Sequence, residues 1–365
     1  MSPFLIALFL PSPLNPPTFS CGENNAYCRI ERVVDHYREM GLLSGTLRVR
    51  LGDRDLEWDL GLADDGTGVS NTSNTIFLIA SDSKAFVAAS ILKLEETGKL
   101  HLQDRLHSWI PEYPSANLTG KNGKIVTLEN LLTHTSGIPE AYDAPAIEEK
   151  LDRSPLSFTD MMRAVDGQSL RFSPGARYEY SNTGYVMLGE VVHRASGESY
   201  TRFLDENILE PLDLSEASVG PPAKGEVARS YDYRSVDGER VDYRLENGLG
   251  PLAASEVFTD TDIYCSPRDL ERWTDLVTGG FVLSPESTAA MLTPHLRDYG
   301  YGWIIFHDDQ GRLAYEHAGD YGDFQSWARR YPDDDVTLTW LSNQAMDLNS
   351  LTQFIDAVGD ATFGP

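Results

Sequence analysis

Apolar residues recur along the chain with two different periods, and each period predicts a different kind of element. Residues 29–40 carry apolar side chains at the spacing of one helix face, and Gly41 follows as a helix end. Residues 45–51 alternate between apolar and polar side chains, and after a Gly-Asp turn the chain returns through 56–58. This stretch therefore predicts an amphipathic helix followed by a β-hairpin.

The middle of the chain is predicted to be mainly helical. A short apolar strand over 75–79 leads into a helix over about 82–97, which Gly98 can terminate. Residues 100–240 indicate mostly short helices and loops. Two helices stand out there, one that begins at Leu128 after the capping residue Thr127 and one over 185–195.

Strand periodicity returns near the end of the chain. Strands are predicted at 301–306, 312–315, 324–328 and 336–341, and a last helix at 348–357. The order is helix, strands, a long helical block, strands and helix. It predicts an α+β fold (an α/β sandwich) with a mainly antiparallel β-sheet flanked by helices and a mostly helical subdomain inserted in its middle.

These elements suggest how the chain is divided. Residues 26–80 and 245–365 are expected to form an α/β sheet subdomain and residues 81–244 a mostly helical subdomain, with the active site at their interface. Residues 1–25 hold a short apolar run, which cannot span a bilayer, and a Pro-rich linker. They are expected to be a signal peptide or a flexible N-terminal extension. Export (periplasmic, secreted or lipid-anchored) is therefore favoured over a cytoplasmic location.

Composition narrows the possible functions. The 365 residues are 41% hydrophobic, which suffices for a sizeable core and excludes a disordered chain. A formal net charge of -26 repels phosphate backbones, so nucleic acid is excluded as a partner. Cys21 and Cys28 could pair, Cys265 is expected to be a small buried residue, and three cysteines cannot build a disulfide framework. No clustered His or Cys ligands suggest a metal, and no cofactor is expected.

Ser81 and Lys84 carry the first chemical signal. They stand three residues apart where a predicted strand meets a helix, so both side chains lie on one face of its first turn. The positive end of the helix dipole favours a neutral amine, which can take the hydroxyl proton and make the serine a nucleophile. A second such pair, Ser90 and Lys93, lies more than two turns into the same helix. We interpret it as a packed small residue and a surface charge.

Two further motifs each allow a functional and a structural interpretation when they are considered alone. Tyr180 and Asn182 share one side of an extended segment, where the hydroxyl can exchange protons and the amide can bind a substrate amide or ester. The alternative is a core aromatic residue and a helix cap. His317 and Gly319 lie between two predicted strands, where the imidazole can bind a polar substrate group and the glycine lets a substrate approach. The alternative there is a structural turn.

Taken together and in this order, the three motifs resemble those of the penicillin-recognising serine hydrolases. More narrowly, they resemble the class C β-lactamase-like branch, with its esterases and D-stereospecific aminopeptidases. The resemblance covers about residues 28–360. Further matching runs are Phe77–Ser81, Gly98–Asp104, Leu131–Pro139, Phe172–Gly175, Tyr180–Tyr185, Tyr299–Trp303 and Leu341–Asn343.

The resemblance implies a catalytic role for three side chains. Ser81 would be the acylated nucleophile, Lys84 its general base or proton relay, and Tyr180 a partner in the proton transfers. The oxyanion hole would consist of the backbone N–H groups of Ser81 and Asp320. Despite its place in a matching run, His134 is expected to fix a loop by hydrogen bonding rather than to act in catalysis.

The substrate would contact Asn182, His317 and Gly319 by the same resemblance, but two residues depart from the pattern. Asp82 follows the nucleophile where an uncharged residue is commoner, and we expect its carboxylate to be tolerated at the helix start. His317 replaces the Lys of true β-lactamases, and an imidazole near neutral pH is mostly uncharged. An esterase or a peptidase is therefore favoured over an antibiotic-cleaving enzyme.

The leading hypothesis is a serine hydrolase that cleaves an ester or amide bond through an acyl-enzyme on Ser81. Its substrate would be a small-molecule ester, an amide or a short peptide. The alternatives are a β-lactamase, a D-amino-acid peptidase and a non-catalytic binding or regulatory protein on the same fold. An α/β-hydrolase is excluded because no Gly-x-Ser-x-Gly elbow occurs, and no transmembrane span is expected. The natural substrate and the oligomeric state stay open.

Overall fold

The computed structural model describes residues 25–113, 115–147, 156–229, 233–236, 239–242 and 262–364. The chain separates into two compact units, one made of the segments before Ser44 and after Ala345, the other of residues 44–345. The expectations for residues 1–24, including the pairing of Cys21, lie outside the described residues. The division into a sheet subdomain and a helical subdomain stays a prediction.

The described strands are numbered in chain order. They are β1 (Gly45–Leu51), β2 (Arg54–Leu60), β3 (Leu62–Asp64), β4 (Val69–Ser70), β5 (Phe77–Leu78), β6 (Ser218–Val219), β7 (Tyr233–Val236), β8 (Glu239–Asp242), β9 (Ile263–Cys265), β10 (Ile304–His307), β11 (Leu313–Tyr321), β12 (Phe324–Tyr331) and β13 (Val336–Ser342).

The described helices are numbered in the same way. They are α1 (Ala26–Glu39), α2 (Ser83–Glu96), α3 (Leu106–Trp109), α4 (Leu128–Leu132), α5 (Phe158–Val165), α6 (Asn182–Ser196), α7 (Tyr200–Leu204), α8 (Pro267–Thr278), α9 (Pro285–Met291) and α10 (Leu348–Phe363). None of these described helices combines the length and the apolar character needed to cross a bilayer.

Two helices form the first unit. α1 buries one face and ends before Gly41, whose φ of +71° suits a glycine. α10 packs against it, with the ring centroids of Tyr37 and Phe354 5.0 Å apart. Both predicted helices are confirmed, and the second continues to Phe363, beyond its expected end at 357.

The main sheet belongs to the second unit. Within the described residues it has six antiparallel strands in the order β10-β11-β12-β13-β1-β2. Leu47 on β1 lies between Trp58 on β2 and Trp340 on β13, and all three side chains are buried. The expected α+β class, with helices and a mainly antiparallel sheet, is confirmed.

Two elements beside the candidate site differ from their predicted lengths. β5 has only two residues, because the chain enters a 3-10 turn at Ala80. β11 does not end at Tyr315 but stays paired with β12 as far as Tyr321. The placement of His317 and Gly319 between two strands is therefore wrong, since both lie inside β11.

α2 is the buried helix at the centre of the second unit. Nearly every residue from Ser83 to Leu94 is buried, which fits a helix that is apolar on most of its circumference. Phe86 stacks on Trp273 of α8 with ring centroids 3.9 Å apart. Because α2 is held on all sides, its first turn is a rigid support for the side chains that it carries.

Candidate active site

Ser81 lies in a strained turn between a strand and a helix. The 3-10 turn Ala80–Asp82 follows β5 and passes directly into α2, and it is called the nucleophile turn here after the role expected of Ser81. Ala80 has a φ of +46°, a conformation that costs a non-glycine residue about 1–3 kcal/mol. The turn contacts β11 and β12, so packing against these strands maintains the strained conformation.

Lys84 is brought to Ser81 by the first turn of α2. The Lys84 side chain is fully buried, yet its Nζ lies 3.0 Å from Ser81 Oγ. The ring centroids of Tyr180 and Tyr185 lie 5.0 Å and 5.8 Å from the same Nζ. A buried amine at hydrogen-bond distance from a partly exposed hydroxyl is the arrangement by which a base activates a serine.

The second Ser-x-x-Lys pair lacks this geometry. Ser90 is fully buried, and its hydroxyl donates to the Phe86 carbonyl oxygen at 2.8 Å within the same helix. Such back-bonding is a common way to satisfy a serine inside a helix. Ser90 is therefore a packed helix residue.

Tyr180 and Asn182 come from the segment that leads into α6. Tyr180 is 39% exposed and its ring lies beside Lys84 Nζ, on the open side of the site. Asn182 is the first residue of α6, and its Oδ1 is buried without a hydrogen-bond partner among the described residues. Because an unpaired buried acceptor is costly, this atom is suited to a donor that arrives with a ligand.

His134 holds this segment in place. Its Nδ1 accepts a hydrogen bond from the Ser181 backbone N–H at 3.0 Å, and its carbonyl oxygen accepts one from the Glu179 N–H at 2.9 Å. Burial holds the pKa of His134 well below its usual value, and the charge of Lys84 lowers that pKa further. The neutral ring keeps Nδ1 as an acceptor, so the structure shows the loop-fixing hydrogen bonds that we expected.

His317 is buried in the sheet, with both ring nitrogens engaged. It is 3% exposed, its Nε2 lies 3.0 Å from Tyr299 Oη, and its Nδ1 lies 2.9 Å from the Ala318 carbonyl oxygen. Since a carbonyl only accepts, Nδ1 carries the proton and Nε2 accepts from the Tyr299 hydroxyl. Burial, followed by the charge of Lys84, lowers the pKa of His317 to about 3. This arrangement does not favour a direct contact between His317 and a substrate, which stays a prediction.

Gly319 is required by the protein's own packing. A Cβ atom there would lie 2.2 Å from the Ile79 carbonyl oxygen, 2.4 Å from Ser326 Oγ and 2.9 Å from the Ser81 nitrogen. The backbone of β11 therefore closes directly onto the nucleophile turn. The same approach brings the strand that carries Asp320 beside the Ser81 N–H, while an oxyanion hole formed by these two N–H groups stays a prediction.

Asp82 is not the helix-start carboxylate that we expected. Its side chain makes no capping hydrogen bond to α2, is 2% exposed, and contacts the Ser326 hydroxyl instead. Burial raises the pKa of Asp82 well above its usual value. We expected the helix dipole to make a carboxylate tolerable at this position, but the side chain enters the core between α2 and β12, so burial governs its state.

Two supporting residues were not identified from the motifs. The Glu140 carboxylate accepts the Asn182 backbone N–H at 2.9 Å and the Thr183 hydroxyl at 2.7 Å, so it caps the start of α6. Tyr299 donates to His317. Glu140 directly follows the run Leu131–Pro139, and Tyr299 is the first residue of the run Tyr299–Trp303. Their place beside these family-like runs is the feature of the sequence that could have indicated both residues.

The described residues contain no group of three His, Cys, Asp or Glu side chains placed to hold a metal ion. Cys265 is buried with a free thiol, as expected.

Comparisons with known proteins match most of the chain. The sequence profile of a family described as Beta-lactamase matches residues 30–357. Protein flp of Staphylococcus aureus (strain COL) is 27% identical over 340 residues, which cover 88% of this chain and 64% of that protein. The chain thus spans less than two thirds of the length of this curated relative.

Two solved structures share the fold over most of their length. A penicillin binding protein from Bacillus halodurans superposes with a TM-score of 0.74 at 25% identity, covering 89% of this chain and 99% of that chain. A D-amino acid amidase from Ochrobactrum anthropi SV3 superposes with a TM-score of 0.76 at 22% identity, covering 92% of this chain and 98% of that chain.

Proposed function

The chain belongs to the Beta-lactamase family, and we propose that it is a serine hydrolase that cleaves an ester or amide bond through an acyl-enzyme on Ser81. The observation that carries this proposal is the 3.0 Å distance between the buried Lys84 Nζ and Ser81 Oγ. A structural lysine has little reason to be fully buried beside a hydroxyl that reaches the surface. A lysine that exchanges a proton with that hydroxyl does.

The proposed reaction has two halves that use the same groups. Ser81 Oγ attacks the substrate carbonyl carbon as its proton passes to Lys84 Nζ, a step that uses the unprotonated form of the amine, and the N–H groups of Ser81 and Asp320 hold the resulting oxyanion. The intermediate collapses, and the leaving alcohol or amine takes its proton from Lys84 with the help of Tyr180. Water then attacks the acyl-enzyme as its proton passes to the same base. The intermediate collapses with release of the acid, and the base returns that proton to Ser81 Oγ.

An ester or amide without a free carboxylate is the substrate class that we favour. His317 replaces the lysine of true β-lactamases, and with a pKa of about 3 it carries no positive charge for a substrate carboxylate at neutral pH. The unpartnered Oδ1 of Asn182 can accept the N–H of an acylamino or amide group. We therefore propose a carboxylesterase or a D-aminopeptidase-like enzyme rather than a β-lactamase.

A panel of three substrates tests this proposal. We expect kcat/KM for a neutral p-nitrophenyl ester or a D-aminoacyl amide to exceed that for nitrocefin. Ser81→Ala should remove several orders of magnitude of the rate, about 10³-fold or more, while Ser90→Ala stays near wild type as the matched control. Turnover that survives in Ser81→Ala, or no turnover of any of the three substrates, would contradict the proposal.

A further inference from the structure

Asp82 and Ser326 form a buried contact directly behind the nucleophile. Asp82 follows Ser81 in the chain and is 2% exposed, and Ser326 on β12 is fully buried. Ser326 Oγ contacts two oxygen atoms at once, the Ile79 carbonyl oxygen at 2.6 Å and Asp82 Oδ2 at hydrogen-bond distance. One hydroxyl thus connects the sheet to chain positions on both sides of Ser81.

The number of protons in this contact determines the state of Asp82. A serine hydroxyl has one proton, so Ser326 can donate to only one of the two oxygens. The Ile79 carbonyl can only accept, so we assign the Ser326 proton to that contact. The remaining short oxygen–oxygen contact then needs a proton from Asp82. A carboxylate in its place would face the lone pairs of Ser326 inside the core, which is unfavourable.

We infer that Asp82 is a positioning residue whose neutral carboxylic acid donates its proton to Ser326 Oγ and so fastens the nucleophile turn to β12. It acts through Ser81 and does not touch the substrate. Gly319 lies opposite Ser326 in the strand register, and not even a Cβ atom would fit between β11 and the turn. The fastened turn therefore has one position, which fixes where the Ser81 hydroxyl and backbone N–H lie. This step rests on the proposed function, since the atom being positioned is the catalytic oxygen.

Charged and titratable groups on the neighbouring elements act on Asp82 in different directions. Burial raises its pKa most, a hydrogen bond from the Ser326 hydroxyl lowers it, Glu316 on β11 raises it further, and Lys84 on α2 lowers it. Cys265 on β9 also interacts with Asp82. Arg329 donates to Glu316 at 2.6 Å, which limits the influence of that carboxylate. Burial favours the neutral acid, and the Ser326 contact does so as well once the Ser326 proton is assigned to the Ile79 carbonyl oxygen.

The protonation state is tested by Asp82→Asn, because the amide N–H can replace the acid as the donor to Ser326. The folded wild type retains a proton that the unfolded chain loses above about pH 4. The stability from this group is thus fully present below that pH and is lost as the pH rises toward the raised folded value. Asn does not titrate. The difference in melting temperature between Asp82→Asn and wild type should therefore increase by several degrees, in favour of the variant, as the pH rises from 5 to 9.

Asp334→Asn is the matched control, since Asp334 is exposed in the turn between β12 and β13. Its melting temperature should keep a constant offset from wild type over the same range. An infrared carbonyl band of a protonated carboxyl group, present in wild type at neutral pH and missing in Asp82→Asn, gives a second readout. A constant offset for Asp82→Asn, or the absence of this band, would overturn the inference.

The positioning role is tested by Ser326→Ala and Asp82→Ala, both of which remove the contact. We expect kcat for a p-nitrophenyl ester to fall about tenfold or more with KM within about threefold of wild type, and Asp82→Asn to restore kcat to within about threefold. Unchanged kcat in both alanine variants would overturn this role. If the alanine variants do not fold, the kcat of Asp82→Asn alone tests the positioning role. A value within about threefold of wild type supports the role, and a fall of about tenfold or more would overturn it.

The melting and infrared measurements need no substrate. If wild type hydrolysed neither esters nor amides, the proposed function would fail while the state of Asp82 would still be decided.

Discussion

His317 shows how burial sets the chemistry of a single residue. Its pKa falls to about 3, whereas an imidazole in the unfolded chain titrates near pH 6.5. Between these values the unfolded chain takes up a proton that the folded protein excludes. The stability from this group is thus present above pH 6.5 and is lost as the pH falls toward 3. His317→Gln should therefore lose less free energy of unfolding than wild type between pH 7 and pH 4, as measured by urea denaturation.

His101→Gln is the matched control, because His101 is exposed. Its free energy of unfolding should fall between pH 7 and pH 4 as steeply as that of wild type. The buried His134, whose pKa is also lowered, remains in wild type and in His317→Gln. The substitution should therefore reduce the loss of stability with falling pH without abolishing it. Equal slopes in His317→Gln and wild type would contradict a neutral, buried imidazole.

At this scale the meeting of Ser81 and Lys84 was predictable from the sequence, and the environment of Asp82 was not. Ser81 and Lys84 meet at 3.0 Å because a three-residue spacing on a helix brings two side chains to one face. Nothing near Asp82 in the sequence indicates its burial, because its partner Ser326 lies 244 positions later. Such partners appear only when the sheet is assembled.

The contact between β11 and the nucleophile turn operates at the scale of the element. A Cβ atom at Gly319 would overlap the Ile79 carbonyl oxygen and Ser326 Oγ, both of which are held in the core. Gly319→Ala must therefore move the turn, and a displacement of about 1 Å can cost about 100-fold in rate. We expect kcat/KM for a p-nitrophenyl ester to fall about tenfold or more, together with the melting temperature.

Gly184→Ala is the control for this substitution. A Cβ atom at Gly184, in α6, would meet Leu131 at an ordinary contact distance of 3.6 Å. We expect wild-type kcat/KM and an unchanged or higher melting temperature, since Ala is the better helix former. Wild-type kcat/KM in Gly319→Ala would show that β11 does not constrain the nucleophile.

Long amphipathic elements were predictable, and short buried ones were not. The periods of α1, β1 and β13 follow directly from the sequence, because each is long enough for its apolar residues to recur at a regular spacing, although β13 is buried along its whole length. β9 has only three residues, all buried, so no period distinguishes it. The starts of α8 and α9 do carry a local signal in the sequence, a capping Ser followed by Pro (Ser266-Pro267 and Ser284-Pro285).

The charge of the whole molecule should influence which substrates reach the site. With a net charge of -26, the protein repels anions over a distance that falls from about 30 Å in 0.01 M salt to about 8 Å at 0.15 M. We expect kcat/KM for a p-nitrophenyl half-ester of succinic acid to rise with salt over this range. The neutral butyrate ester is the control and should not respond. A fall with salt for the succinate would show that the site attracts anions.

The order of elements indicated the fold class, but the pairing of distant strands had to come from the structure. β1 pairs with β13 along its whole length, from Gly45 opposite Ser342 to Leu51 opposite Val336. Element order is compatible with several registers, and only the packing of both faces selects one. The same holds for β11, whose register with β12 places Gly319 opposite Ser326 and beside the turn of Ser81.

Acylation of Ser81 is the event on which every proposed role depends, and covalent labelling with a fluorophosphonate tests it most directly. Mass spectrometry of the labelled protein should show one adduct, which peptide mapping assigns to Ser81. Ser81→Ala should take up no label while keeping the wild-type circular dichroism and melting temperature, and Ser90→Ala should be labelled in full. An adduct on another serine, or undiminished labelling of Ser81→Ala, would contradict the assignment of Ser81 as the nucleophile.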